Sequence, residues 1–145
     1  MDEQSSEEIK RRKKRYLKRY RKNQACISRL ENKLVKINER LYSVKTSNLS
    51  GMPRGSVPVT TDDLIADKED LEERIKRLKA KSRGLKKSVY EEIDNLEDPR
   101  FCEVLEAYFI DGLSIEKIAE KIGYTERHVY TLYSEAITYL SELSR

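Results

Sequence analysis

The hydrophobic positions of this chain fall into two long stripes and then a denser cluster. From Ile9, seam positions recur in steps of four and three through Lys13, Tyr16, Tyr20, Asn23, Ile27, Leu30, Leu34, Ile37, Leu41 and Val44. That is heptad spacing, apolar throughout its second half, and it predicts a long helix with one covered stripe. The stretch KTSNLSGMPRGSVPVTT then brings two prolines, two glycines and several hydroxyl side chains, which no long helix can pass through. We place a connector loop at 45–60. A second seam follows through Leu64, Lys68, Leu71, Ile75, Leu78, Ser82, Leu85 and Val89, ending near Leu96. Thr60 or Thr61 suits its N-cap, and Asp62 and Asp63 suit the positive end of the helix dipole. Gly84 is its weak point, costing about 1 kcal/mol against alanine.

Two helices of about 36 residues, each about 54 Å long, joined by one loop, predict an antiparallel hairpin over residues 1–97. Folding about the loop centre sets residue i opposite roughly residue 105 − i. Lys33, Lys36 and Arg40 then face the acidic run from Asp67 to Glu73. The basic end of the first helix is expected to meet Arg83, Lys86 and Lys87, with self-repulsion that an anionic partner would relieve.

Asp98-Pro99 marks the next boundary, since proline suits the first helical position and the aspartate before it can cap. A compact three-helix head is predicted over 98–145, with helices at Pro99 to Ile110, Ser114 to Ile122 and Thr125 to about Leu143. The fold class is thus all-α, a long helical hairpin followed by a small tri-helical domain. Within GLSIEKIAEKIGYTERHVYTLY, counted from Ile115 as one, the small Ala119 falls at 5 and Gly123 at 9. Apolar residues fall at 4, 8, 15 and 18. Ala119 allows close helix crossing, and Gly123 allows a left-handed turn. Ile118, Ile122, Val129 and Leu132 point inward with Leu105, Phe109, Leu113, Ile115 and Ile137. This is the spacing of a helix-turn-helix.

Charge changes the picture. Residues 1–50 carry 15 basic and 6 acidic side chains, a net of +9, whereas the last 48 carry 5 and 9, a net of −4. Ten of the 13 residues from Lys10 to Lys22 are lysine or arginine, interleaved with Tyr16 and Tyr20. Such density points to a polyanion partner. The start of the chain lacks a signal peptide's apolar run, and no segment is long and apolar enough to span a bilayer, so a cytoplasmic protein with no membrane partner is expected. Cys26 and Cys102 share no metal-binding spacing, and His128 is the single histidine. No nucleophile–base arrangement or phosphate-cradling glycine loop occurs. No enzyme, catalytic residue, metal or cofactor is expected.

The helix-turn-helix fixes which side chains would read bases. Glu126, Arg127, Tyr130, Thr131 and Ser134 point away from the core, with His128 and Tyr133 on the flanks, and the first turn of such a helix enters the major groove. Thr125 and the free amides of the helix start can hold a phosphate, as can Tyr133. Backbone contacts are expected from Lys10, Arg11, Arg12, Lys13, Lys14, Arg15, Lys18, Arg19, Arg21 and Lys22, joined by Arg83, Lys86 and Lys87. An acidic head can therefore bind DNA if the basic helix neutralises phosphates while the head chooses the site.

The segment from Asp98 to Leu143 resembles region 4 of bacterial sigma factors. GLSIEKIAEKIGYTERHVYTLYSEAITYL follows that family's run of a short loop, an "EIA" helix, a small-residue turn and a Val-centred recognition helix. It departs in charge, with Arg127 alone before Arg145 where sigma-type helices carry several basic residues. With the helical N-terminal part and the SGMPRGS connector, the chain is similar to the small phage-encoded regulators of the ArpU and RinA type. That resemblance implies a late-gene activator acting on double-stranded DNA in the bacterial host cytoplasm. The alternative is a coiled-coil adaptor whose sigma-like head docks on RNA polymerase or another protein, with the loop at 45–60 as a second contact. Asn23, Lys13, Lys68 and Ser82 at seam positions fit either a single hairpin or a homodimer.

Overall fold

The end signals and apolar periods produce α1 (Glu3–Leu49), α2 (Thr61–Ile93), α3 (Pro99–Phe109), α4 (Ile115–Ile122) and α5 (Glu126–Leu143). They are seen in a computed structural model that describes residues 3–49 and 61–144, with side chains throughout except at 45–49. Among these residues there is no strand, and the protein is all-α. Helix α1 continues to Leu49, past the expected start of the connector at 45. The rest of the expected loop, 50–60, and Thr60 as a cap lie outside the described residues. No helix among the described residues is long and apolar enough to cross a membrane.

The chain divides into two compact units, to both of which α1 and α2 contribute. One comprises residues 24–81. Its core is Ile27, Leu30, Leu71 and Ile75, with Leu34, Ile37 and Leu78 half-buried against it. Two helices cover only one stripe of each other, so few side chains here leave water completely. Lys33, Lys36 and Arg40 line one cleft with Asp67 and Asp70, as the register requires, and Glu31 pairs with Lys79 at 3.3 Å.

The other unit joins residues 1–23 to residues 82–145. Leu17 and Tyr20 of α1, Val89 and Ile93 of α2, and the apolar faces of α3, α4 and α5 share one core. Tyr16 does not occupy the seam as expected. It is exposed, and Leu17 is fully buried in its place. The covered stripe here runs Lys13, Leu17, Tyr20, because α1 must meet the head as well as α2, which turns the buried face by one residue. Lys13 pairs with Glu92, the neighbour that the register assigns it, and both groups are largely removed from water. The basic end thus meets a carboxylate at Glu92, and Lys86 lies over its Tyr20 ring, contrary to the expected all-cationic encounter.

Local chemistry fixes the head. Asp98 caps α3, accepting from the Arg100 N–H at 2.9 Å and from its guanidinium at 2.9 Å, and these bonds hold its carboxyl below the usual range. The Cys102 thiol donates to the Leu96 carbonyl at 3.4 Å, and burial pushes its pKa up.

Candidate nucleic-acid interface

Helices α4 and α5 meet through a turn that the sequence encodes residue by residue. Ser114 accepts from the Lys117 N–H at 3.2 Å and starts α4. Gly123 ends it at φ 79°, a left-handed backbone that donates to the Ala119 carbonyl and that a side chain would strain. Thr125 accepts from the His128 N–H at 3.1 Å and starts α5. Ala119, Ile118, Val129 and Leu132 are buried between the helices, so the next face of α5 is directed outward by the packing itself.

That face carries Glu126, Arg127, Tyr130 and Thr131, all exposed, Tyr130 at 61%. The Thr131 hydroxyl donates to the Arg127 carbonyl at 3.0 Å, so its acceptor lone pairs and methyl group are what it offers a partner. Ser134 is half-buried at the edge. His128 is exposed and lies edge-on to Tyr124, with ring centroids 4.7 Å apart. Tyr133 departs from its expected flank position. It is 9% exposed, packs on Tyr108 and Phe109, and burial pushes its pKa up to about 12. Its ring belongs to the core, and its hydroxyl stays neutral at physiological pH.

Tyr133 and Tyr108 are also where the basic helix is attached. The Lys14 ammonium sits 6.0 Å from the Tyr133 ring centre, and the Arg21 guanidinium 4.5 Å from that of Tyr108. Arg21 also donates to the Gly112 carbonyl at 3.4 Å, exposed by a turn with φ 71° at Gly112. Each cation–ring contact contributes about 0.5–1 kcal/mol at a partly exposed site. With Leu17 and Tyr20 in the common core, these contacts make the basic stretch a wall of the head.

The expected phosphate-binding cations therefore occupy unlike surroundings. Lys13 is committed to Glu92. Lys10 is half-buried and pairs with Glu7 at 3.4 Å, and Lys18 is half-buried. Arg11, Arg12 and Arg15 converge on Glu8 at 3.9, 3.5 and 3.7 Å. Arg19 stacks on Tyr16 at 3.9 Å, Lys86 lies 5.9 Å from the Tyr20 ring, and Lys87 approaches Glu91 at 3.9 Å. Lys22 and Arg83 are exposed. In the head, both lysines of α4 have acidic neighbours: Lys117 with Glu120 at 3.6 Å and Lys121 with Asp111 at 4.0 Å.

Leu17, Tyr108 and Gly112 escape a reading by seam and recognition helix alone. The Asp111-Gly112 pair, a common turn signal, was the available cue for the last.

A family model fits the part of the chain that includes α2 and all three head helices. DUF1492, described as a protein of unknown function, matches residues 42–141. The chain belongs to that family. The match of DUF1492 covers the helix-turn-helix whole and begins after the basic stretch Lys10 to Lys22. No curated protein matches the chain, and no solved structure does.

Proposed function

We propose that this DUF1492 protein is a sequence-specific regulator of transcription that binds duplex DNA. The resemblance of residues 98–143 to sigma region 4, and of the chain to the ArpU and RinA type, makes a phage or prophage late-gene activator the specific form of the proposal. It works by binding, without catalysis, in the bacterial cytoplasm.

The observation that carries it is the outward first half of α5, with Glu126, Arg127, Tyr130 and Thr131 free of the core, in one unit with the basic helix. Arg127 suits a guanine edge and Glu126 a cytosine amino group. Affinity comes from phosphate neutralisation by Lys10, Lys14, Lys18 and Arg21, which releases counterions and is indifferent to sequence. The head contributes choice, the helix contributes grip.

The test is fluorescence anisotropy of the full chain on its own upstream region and on a length-matched scramble, across a salt series. Preference for the first with a steep salt slope is the expected result. Equal binding to both leaves a nonspecific DNA binder, whose head is then free to dock on RNA polymerase. No binding to either defeats the proposal.

A further inference from the structure

The first half of α1 is basic around its whole circumference, yet only one side of it can lie beside the head. Leu17, fully buried, fixes which side that is. At 3.6 residues per turn, Lys10, Lys14 and Arg21 project within about 60° of Leu17, whereas Arg12, Arg15 and Arg19 project about 140–160° from it. Lys14 and Arg21 do rest on head tyrosines. The three arginines instead line a separate shallow pocket with Tyr16 and Glu8.

A helix with its side chains is about 10–12 Å thick, so a straight duplex seated on α5 and Lys14 is screened from the far side by the helix itself. Arg12, Arg15 and Arg19 need another explanation.

Their arrangement supplies one. Arg12 and Arg15 bring their guanidinium nitrogens to 3.5 and 3.7 Å from a single Glu8 oxygen. One half-buried carboxylate is thereby held by two convergent cations in the manner of a phosphate group. Arg19 lies flat on Tyr16 at 3.9 Å, which limits the freedom of its long side chain. The face has one aromatic ring, Tyr16, 38% exposed with the Arg19 guanidinium lying over it, and no continuous apolar patch around it. A protein partner would require a buried apolar centre, whereas a phosphate backbone requires only cations.

We propose that Arg12, Arg15 and Arg19 hold the phosphates of a second duplex segment while the head holds the first. The inference rests on DNA binding by the head, as set out above. Glu8 then acts as an internal competitor, occupying two of the arginines until a phosphate displaces it.

The experiment uses the full chain, its own upstream duplex immobilised on beads, and a labelled scrambled duplex in solution. The wild type is expected to carry the labelled duplex onto the beads. Arg12→Ala/Arg15→Ala/Arg19→Ala, changes to a good helix former at two exposed positions and one half-buried position, should cut that capture about tenfold or more while changing affinity for the immobilised duplex less than about threefold. Glu8→Gln should raise capture about twofold. Capture that survives the triple substitution would show bridging by two heads of a dimer and overturn the inference. So would equal loss of affinity for both duplexes, or a wild type that binds the first and captures no second. A wild type that binds neither defeats the DNA-binding reading itself.

Discussion

The two halves of α1 differ in what covers them, and not as their sequences suggest. Residues 24–44 hold the apolar seam, yet only Ile27 and Leu30 are buried there, while Leu34, Ile37, Leu41 and Val44 remain half-buried and Tyr42 and Val35 are exposed. Residues 3–23 hold ten cations in one run, yet Leu17 is withdrawn from water completely and Tyr20 nearly so. The difference lies in how many elements converge. A lone partner helix covers one stripe, whereas α2, α3, α4 and α5 all share the core that Leu17 enters. Local hydrophobicity is a poor guide to burial where a helix meets a domain distant in sequence.

The sharpest way to break that contrast is truncation at the two kinds of leucine. Leu17→Ala should cost about 2–5 kcal/mol in urea unfolding followed by circular dichroism. Leu34→Ala should cost markedly less, because its site is already partly wet. Equal losses would contradict the comparison. For the same reason, deleting residues 1–22 would remove part of the core along with the charge, so the grip is better tested by point substitutions. Gly123→Ala comes next, at about 1–2 kcal/mol for forcing a side chain into a left-handed backbone. A thermal melt reads it, and an unchanged midpoint would mean that the turn relaxes.

The smallest effect concerns Glu106 in α3. Burial, reinforced by Asp94, Asp111 and Glu103, pushes its carboxyl pKa up. A carboxyl raised in the folded state favours folding below its unfolded pKa and loses that contribution as pH rises through its folded value. Glu106→Gln should therefore raise the melting temperature at pH 7, and the gain should shrink as pH falls towards the ordinary carboxylate range. A gain independent of pH would point to packing instead.

Much of this fold was legible because its signals are local. Asp98-Pro99, Ser114, Gly123 and Thr125 mark the ends of the head helices, and each acts through neighbours within four residues. The antiparallel register was legible too, since helix length and loop position determine it, and Lys13 finds Glu92 accordingly. What could not be read was the docking of α1 on the head. Leu17 enters a core shared with α2 to α5 and Arg21 meets Gly112, 91 residues away, and no period in the chain encodes which side of a basic helix such partners will cover. Tyr133 illustrates the same gap, since a tyrosine at the edge of an α5 face suits solvent until Tyr108 and Lys14 close over it.

The division between grip and choice is tested most directly by comparing Arg127→Ala with Lys18→Ala on the upstream duplex and its scramble across a salt series. Arg127→Ala should narrow the preference between the two by about 1–3 kcal/mol with little change in salt slope. Lys18→Ala should weaken both duplexes alike and reduce the slope by about 1. Uniform loss on both duplexes from Arg127→Ala would contradict the account.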